Sequence, residues 1–382
     1  MTGMIIGIDA SRSVTGQRTG TEAYAYFLIQ ALISLTADSE HHLRLYFNQP
    51  PPPGLFPDAP HVEQVIIPLR RLWTHIRLSR ELHTRPPDIF FTPAHLIPYT
   101  YHGRSAATIH DLGYHHFPEA HPKRQLAYLK WSTRHNGRRA QTIFADSQAT
   151  KDDLIQLDGL EANKIKVVYP GVDPGLRPME DEDVVTAVIQ KYGLTPPYFL
   201  YIGTIQPRKN LVRLIQAYAQ SGVPHQLVLA GKPGWLSQPI LQEISDPSVA
   251  LRTSFQSPIS KNIILPGYIH DTDKAALLTG ATALLYPSLY EGFGFPILEA
   301  QVCGLPVLTA DSSSCPEVAG DAALLVNSLD TEAIKVGIQQ LAADGNLRQS
   351  LRQKGLENVR QFTWQGTAGQ VLHTLSSNWV TG

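Results

Sequence analysis

The chain of 382 residues has little of what marks secreted, membrane-spanning or nucleic-acid-binding proteins. Its two cysteines, Cys303 and Cys315, cannot form a disulfide framework, and reduced thiols are typical of a cytoplasmic protein. The net charge is −1, so no overall field attracts nucleic acid or a membrane. No apolar run is long enough to cross a bilayer, and Met4–Ile8 is too short for a signal peptide. We expect a cytoplasmic protein that binds no nucleic acid and makes at most peripheral contact with the inner face of the membrane.

The sequence also lacks familiar signatures of cofactor and metal sites. The loop after the first predicted strand, Gly7–Thr21, is not a G-x-G-x-x-G fingerprint, and the chain has no P-loop lysine. The first half is rich in histidine, yet it contains no H-E-x-x-H motif and no Cys/His knuckle. We therefore expect no structural or catalytic metal and no cofactor.

What the chain does contain is a regular alternation of strand-like and helix-like segments. Seven apolar runs in the first half, from Ile5–Ile8 to Lys166–Tyr169, are predicted strands, and six more follow between Tyr198–Ile202 and Ala323–Val326. Such alternation predicts parallel sheets with helices on both faces. Two series of this kind predict an α/β protein made of two Rossmann-like, doubly wound domains.

The predicted boundary between the domains is the segment Pro170–Pro178. Its three prolines and two glycines suit a connector better than a helix or strand. We predict an N-terminal domain over residues 1–172 and a C-terminal domain over residues 173–362. The remainder, 363–382, is predicted to form a helix near Trp364–Leu375 and a tail.

Two glutamates, Glu291 and Glu299, form the most informative motif of the chain. A Gly-Phe-Gly turn lies between them, after the predicted buried strand Ala283–Pro287 and before a short predicted helix. Both carboxylates should face the sheet edge where α/β proteins bind ligands. One interpretation is structural: one glutamate complements the helix dipole and the other is solvated. The other is a ligand with several hydroxyls, because a carboxylate accepts two hydroxyl hydrogen bonds at once.

A cationic turn, Arg208-Lys209-Asn210, connects another predicted strand to a helix that begins at Leu211. Gly203 comes at the end of that strand and allows a tight turn. A strand, a glycine turn, two cations and a helix start with Asn210 as N-cap together predict a phosphate site. The alternative interpretation is a basic surface turn.

The first half offers weaker signals. Gly20 and Thr21, at the start of the first predicted helix, could offer backbone amides to a phosphate, and Arg12 and Arg18 lie in the loop before them. His110 ends a strand that should be central, where an imidazole acts as acid, base or hydrogen-bond donor near neutral pH. The alternative for this histidine is a structural role.

The predicted helix Lys123–Arg139 carries six lysines and arginines and no acidic residue, with Leu126, Leu129 and Trp131 interspersed. Such a helix could lie on an anionic membrane or bind an anionic acceptor. A solvated helix face is the commoner explanation of such a charge run, and the sequence alone favours it.

Taken together, these motifs resemble the large family of retaining GT-B glycosyltransferases usually called family 4. In the second half the resemblance covers Gly203–Asn210, the Pro-Gly-Tyr motif that ends at Tyr268, and the glutamate motif. In the first half it is looser, at Thr19–Thr21 and at His110-Asp111. It spans nearly the whole chain. It implies two Rossmann-like domains facing each other across a cleft, with the C-terminal helix crossing back to the first domain.

The resemblance implies a nucleotide-sugar donor held mainly by the second domain. Lys209, together with Arg208, would neutralise the diphosphate as it becomes the leaving group. Glu299 would hold the ribose hydroxyls of the nucleotide. Glu291 would face the donor sugar near the reacting carbon.

Other positions of the family motifs also acquire implied roles. The backbone amides of Gly292, Phe293 and Gly294 would bind sugar hydroxyls, and Tyr268 would contact the donor. The remaining implied residues lie in the first domain. Gly20 and Thr21 would contact the diphosphate when the domains close, and His110 would donate to a sugar hydroxyl or to the acceptor region.

The family transfers sugars with retention and usually without a metal, so cations and helix amides would supply the electrostatic stabilisation. This chain departs from the pattern at Thr204, where many members carry an arginine, and Arg208 is expected to supply the missing charge. The Pro-Arg-Lys-Asn turn and His110-Asp111 resemble members often assigned to mannose transfer. GDP-mannose is therefore the first expected donor, with a glycan, lipid-linked or small-molecule acceptor. The alternatives are a nucleotide-sugar hydrolase or epimerase of the same fold and a non-catalytic nucleotide-sugar binding protein.

Overall fold

The computed structural model of the chain describes residues 3–15, 18, 20–94, 96–245 and 262–377. The chain forms two compact units. The first consists of Met1–Leu112, Lys123–Gly171 and Phe362–Gly382, and the second of Gly113–Pro122 and Val172–Gln361. Each unit is built around one parallel sheet, as the alternation of strands and helices predicts.

The sheet of the first unit is made of seven strands. They are β1 (Ile5–Asp9), β2 (His42–Phe47), β3 (Val62–Ile66), β4 (Ile89–Thr92), β5 (Ser105–Ile109), β6 (Thr142–Ala145) and β7 (Ile165–Val167). Their order is β3-β2-β1-β4-β5-β6-β7, and all neighbours are parallel. The central strands β4, β5 and β6 are buried along their whole length, whereas the edge strand β3 is partly exposed. This is the burial expected of a sheet covered by helices on both faces.

The sheet of the second unit has six strands. They are β8 (Tyr198–Ile202), β9 (Gln226–Ala230), β10 (Ile263–Gly267), β11 (Ala283–Tyr286), β12 (Val307–Ala310) and β13 (Leu324–Val326). Their order is β10-β9-β8-β11-β12-β13, again with parallel neighbours. Both sheets are therefore doubly wound, as predicted.

The α-helices cover the sheets and follow the strands in the chain. In the described ranges they are α1 (Gly20–Thr36), α2 (Ser79–Thr84), α3 (Gly113–His116), α4 (Lys123–Arg139), α5 (Gln148–Asp158), α6 (Glu182–Lys191), α7 (Leu211–Ser221), α8 (Gln238–Ser245), α9 (Asp271–Gly280), α10 (Phe295–Val302), α11 (Cys315–Ala319), α12 (Thr331–Ala343), α13 (Gly345–Asn358) and α14 (Trp364–Ser377). A π-helical turn, Thr74–Leu78, continues directly into α2. Trp73 is buried before that turn, because its indole Nε1 donates to the carbonyl oxygen of Ile67 at 2.8 Å.

The last helix, α14, belongs to the first unit and packs on α1. The ring of Trp364 stacks on Phe27 with 5.6 Å between centroids and meets the edge of Tyr24 at 5.6 Å. Trp364 and Tyr24 are both buried. Burial of large aromatic rings in such arrangements is a major source of packing energy. The return of the C-terminal helix to the first domain is therefore confirmed.

The position of a ligand site in such sheets follows from the strand order. In the first unit β1 lies between β2 and β4, and in the second unit β8 lies between β9 and β11. At such a point successive connections leave in opposite directions, and a crevice opens at the carboxyl ends of the strands. In the second unit, the loops after β8 and β11 meet there, and these loops carry the cationic turn and Glu291.

Glycine allows a close backbone approach at this edge of the second sheet. Gly231, after β9, has φ of 149°, and a Cβ atom there would collide with the carbonyl oxygen of Gly203, after β8. The amide of Gly231 donates to the carbonyl oxygen of Gly267 at 2.8 Å. The loops after β8 and β9 and the end of β10 are thereby held in backbone contact.

Candidate active site

The loop after β11 carries Glu291 and leads into α10. Strand β11 ends at Tyr286, and the helix begins at Phe295. Gly294, just before the helix, has φ of 103°, in the left-handed region that glycine adopts without strain. Pro296 follows in the first turn, where its missing N–H removes no helical hydrogen bond. The loop therefore turns sharply and keeps Glu291 at the carboxyl edge of the sheet.

Two serines between β12 and α11 fix the backbone of this loop. The amide of Glu291 donates to Ser313 Oγ at 3.0 Å. Ser314 Oγ lies within hydrogen-bond distance of the carbonyl oxygens of Glu291 and Phe293, at 3.0 and 2.8 Å, and is fully buried. These bonds hold the loop in one shape, which fixes the direction of the Glu291 side chain.

Glu291 is only 5% exposed, and two cations bind its carboxylate. Lys209 Nζ donates to Oε1 at 2.5 Å, and Arg208 Nη1 donates to Oε2 at 3.1 Å. Lys209 Nζ also lies 2.7 Å from the hydroxyl of Tyr286, and Arg208 Nη1 lies 2.7 Å from the carbonyl oxygen of Tyr290. The structure thus brings three predicted site residues together, and we call Arg208, Lys209 and Glu291 the cation–carboxylate group.

The cation–carboxylate group carries excess positive charge. Burial opposes ionisation of Glu291, but the charges of Lys209 and Arg208 outweigh it and lower the pKa of Glu291 to about 2. Burial lowers the pKa of Lys209, and the charge of Glu291 opposes this effect. Two cations and one carboxylate leave a net charge of +1. A partly desolvated positive charge of this kind can attract an anion.

The cationic turn is tied to the rest of the sheet edge by Asn210. Its side-chain amide donates to the carbonyl oxygens of Pro287 and Ser328 at 3.0 and 2.7 Å. Its backbone has φ of 60°, and it makes no capping hydrogen bond to α7. Asn210 therefore occupies the predicted N-cap position, but its side chain joins the turn to the loops after β11 and β13 instead of capping the helix.

Glu299 has a different partner. It lies on α10, and Lys274 Nζ on α9 donates to its Oε1 at 2.9 Å. Burial lowers the pKa of Lys274, but the charge and hydrogen bond of Glu299 outweigh it, so the pKa is raised. Both side chains are less than one-fifth exposed. The two glutamates of the motif thus have separate cationic partners, and no sequence motif identified Lys274.

Tyr268, which follows β10, contacts Lys232, a second lysine that lies outside the motifs identified in the sequence. Lys232 Nζ lies 4.6 Å from the centroid of its ring, and His270 meets the ring edge-on at 5.7 Å. Lys232 follows Gly231 in the loop after β9. The only sequence signal for Lys232 was its place after a predicted strand.

In the first unit, both ring nitrogens of His110 are hydrogen-bonded. Nδ1 lies 2.7 Å from Asp146 Oδ2, and Nε2 lies 2.8 Å from the carbonyl oxygen of Pro93. Tyr24 meets the ring edge-on at 4.8 Å. Because both partners accept hydrogen bonds, the protonated imidazolium satisfies both nitrogens at once. Burial raises the pKa of Asp146, against the opposing charge of His110.

This arrangement predicts a pH dependence of stability. Burial lowers the pKa of His110, but Asp146 and the Pro93 carbonyl outweigh it, so the pKa is raised above its ordinary value of 6.5. A raised folded-state pKa gives stability that is fully present below 6.5 and lost as pH rises through the folded value. In urea unfolding, the stability difference between the wild type and His110→Gln should shrink as pH rises above 6.5. A difference that stays constant across this range would contradict the assignment.

The remaining predicted residues of the first unit lie at the start of α1. Gly20 and Thr21 are its first residues, and Thr19 lies outside the described residues. Arg12 Nη1 donates to Glu22 Oε1 at 3.3 Å. The guanidinium of Arg18 lies 3.5 Å from the centroid of the Tyr26 ring.

In the described part of the chain, no group of three or more His, Cys, Asp or Glu side chains is arranged to hold a metal ion. In the same ranges, no helix has both the length and the apolar character needed to cross a membrane.

Two doubly wound units, with the cation–carboxylate group at the edge of the second sheet, define a protein of the GT-B glycosyltransferase fold. The family model described as Glycosyltransferase Family 4 matches residues 18–176, and the model described as Glycosyl transferases group 1 matches residues 186–358. O-antigen chain mannosyltransferase B of Escherichia coli is 32% identical over 290 residues, which cover 72% of this chain and 73% of that protein. The chain therefore belongs to the family 4 type of GT-B glycosyltransferases.

Further comparisons agree with this family and fold. Serotype-specific mannosyltransferase WbdA of Escherichia coli is 29% identical over 231 residues, which cover 60% of this chain but 28% of that protein. Sucrose-phosphate synthase of Thermosynechococcus elongatus has the same fold, with a TM-score of 0.77 at 18% identity, covering 99% of this chain and 100% of that one. HepE of Anabaena, solved in complex with UDP-glucose, has a TM-score of 0.71 at 18% identity, covering 99% of this chain and 100% of that one.

Proposed function

We propose that this glycosyltransferase moves mannose from GDP-mannose to a glycan, lipid-linked or small-molecule acceptor, with retention of anomeric configuration and without a metal. The observation that carries the proposal is the cation–carboxylate group, which offers an anion a buried lysine and a partly buried arginine, both hydrogen-bonded. A diphosphate leaving group has the charge and the oxygen acceptors that such a group requires. Mannose is chosen because the relative at 32% identity is named a mannosyltransferase.

The proposed roles of Arg208 and Lys209 follow from charge development during transfer. Breaking the bond between the anomeric carbon and the diphosphate oxygen leaves negative charge on the diphosphate. Cations that are already oriented stabilise that charge without reorganisation. Their orientation is fixed in advance by Glu291, Tyr286 and the Tyr290 carbonyl.

The proposed role of Glu291 excludes proton donation. With a pKa of about 2, its carboxylate is ionised near neutral pH, so it cannot act as a general acid there. An ionised carboxylate near the reacting carbon would instead accept hydrogen bonds from the donor sugar. It would also stabilise positive charge on the sugar ring in an oxocarbenium-like transition state.

The other site residues are proposed to hold the donor. Glu299, oriented by Lys274, would bind the ribose hydroxyls, and Tyr268 would contact the nucleotide. The remaining contacts are proposed for groups at two helix starts and one strand end. These groups are the amides of Gly292, Phe293 and Gly294 for sugar hydroxyls, Gly20 and Thr21 for the diphosphate, and His110 for a sugar hydroxyl or the acceptor. To act in this way, His110 would have to exchange its hydrogen bond to the Pro93 carbonyl for one to the ligand, while Asp146 keeps Nδ1.

A direct test is to incubate the purified full-length chain with GDP-mannose or UDP-glucose and a set of saccharide acceptors, with and without EDTA. We expect GDP release that depends on the acceptor and is unchanged by EDTA. NMR of the product should show the anomeric configuration of the donor. UDP-glucose is included because a structural neighbour was solved with it.

Three results would contradict parts of the proposal. Free or isomerised sugar formed without any acceptor would indicate a hydrolase or epimerase. Tight donor binding with no product for any acceptor would indicate a binding protein. UDP release in preference to GDP release would replace the proposed donor while leaving the proposed chemistry intact.

A further inference from the structure

The first unit exposes a set of large apolar side chains on neighbouring segments. They are Leu72 (67% exposed), Ile76 (53%), Tyr99 (63%), Tyr128 (52%) and Trp131 (44%). We call these five residues the aromatic surface. Isolated exposed apolar residues are ordinary, but a contiguous set is a feature of interaction sites.

Ring contacts connect the three aromatic members of the aromatic surface, directly or through His135. Trp131 on α4 stacks on His135 at 5.3 Å and lies 6.1 Å from Tyr128 and 6.4 Å from His75. Tyr99 stacks on His135 at 5.6 Å, and its amide donates to His75 Nδ1 at 3.3 Å. The π-helical turn Thr74–Leu78, the loop at Tyr99 and α4 therefore meet in one place.

Basic residues accompany the aromatic surface in sequence and structure. They are Lys123, Arg124, Lys130, Arg134, Arg138 and Arg139 on α4, and Arg70, Arg71, Arg77 and Arg80 on the segment around Leu72 and Ile76. Helix α4 contains no acidic residue, although Arg134 pairs with Asp158 at 3.1 Å. On the other segment, Glu81 pairs with Arg85 at 3.6 Å. Since the whole chain has a net charge of −1, this concentration of basic residues is local.

The combination of side chains favours a lipid surface over a protein partner. Tyr and Trp prefer the level of lipid headgroups, and Leu and Ile gain by entering the acyl boundary. Lysines and arginines next to them are attracted to anionic lipid. A purely solvated charged face would need no exposed Leu, Ile, Tyr and Trp among its cations. We propose that the aromatic surface and its basic residues dock the protein on a bilayer containing anionic phospholipid.

The test is vesicle sedimentation of the full-length chain, with phosphatidylcholine vesicles compared with vesicles that also contain phosphatidylglycerol. The wild type should bind the anionic vesicles, and the binding should weaken with salt. Trp131→Ser/Tyr128→Ser and Leu72→Asn/Ile76→Ser should each weaken it by about tenfold or more. Asparagine is chosen at Leu72 because the backbone there has φ of 57°, a region that asparagine tolerates.

A matched control is Leu329→Asn/Val336→Ser in the second unit, where the wild-type side chains are 68% and 40% exposed. It should bind vesicles like the wild type. Binding that does not require anionic lipid, or equal losses in the test and control variants, would overturn the proposal. The proposal would also be overturned if the wild type formed a dimer and the test substitutions dissociated it without changing vesicle binding. Sugar transfer to a soluble acceptor should be unchanged in all variants, so the result is independent of the proposed donor.

Discussion

Replacing Lys209 with methionine should lower kcat/KM for sugar transfer by about 100- to 1000-fold, the effect of removing one oriented charge-stabilising donor. Methionine fills much of the same volume but cannot donate to Glu291, to Tyr286 or to a diphosphate. Arg208 remains hydrogen-bonded to Glu291 in this variant, which limits the damage to the fold. Steady-state kinetics with GDP-mannose would measure the loss.

The matched control for this variant is Lys191→Met. Lys191 also forms a hydrogen-bonded ion pair in the second unit, with Asp273 at 2.7 Å, but it lies on α6 and is 54% exposed. Its replacement should leave kcat/KM within about twofold, because exposed ion pairs contribute little. Retention of most of the activity by Lys209→Met would refute the proposed role of the cation–carboxylate group.

Glu291→Gln should destabilise the fold by about 3–5 kcal/mol, because it leaves the charge of Lys209 buried, and that of Arg208 partly buried, without their carboxylate. The same substitution should increase the stabilisation gained from GDP. In the wild type, a bound diphosphate would compete with Glu291 for the two cations, whereas in the variant it would replace the lost carboxylate charge. Thermal unfolding with and without GDP would measure both effects.

The comparison for Glu291→Gln is Glu299→Gln. Glu299 neutralises one lysine, Lys274, and is more exposed than Glu291. Its replacement should cost less stability, and it should reduce the gain from GDP if Glu299 binds the ribose. A larger GDP-induced shift for Glu299→Gln than for Glu291→Gln would reverse the assignment of the two carboxylates.

The fold was predictable because parallel strands are short apolar runs between turns. All thirteen strands predicted from such runs are present. Several helices were not predicted, and the reason is visible in their burial. Helix α6 buries only Ile189, and α13 buries only Leu351 and Gly355. With so few buried residues, α13 has little apolar periodicity in the sequence.

The candidate site was predictable in its parts but not in its connections. Arg208 and Glu291 each stood out after a predicted strand, yet their contact depends on the pairing of β8 with β11, which are not consecutive strands. Lys209 and Glu291 are 82 residues apart in the chain. Lys274 and Ser313 contact the motif only through tertiary structure, so no local pattern identified them.

The two hydrogen bonds of the Asn210 amide bear on how the family can diversify. They bind the turn after β8 to the loops after β11 and β13. A one-residue insertion in any of these three connections would shift the cations against Glu291, so their lengths should vary little among active relatives. The loop after β9, which carries Lys232, takes no part in these bonds. That loop is held to the turn after β8 by backbone instead, because the amide of Ile205 donates to the carbonyl oxygen of Lys232 at 2.9 Å. A change in its length would therefore also displace the turn that carries the two cations.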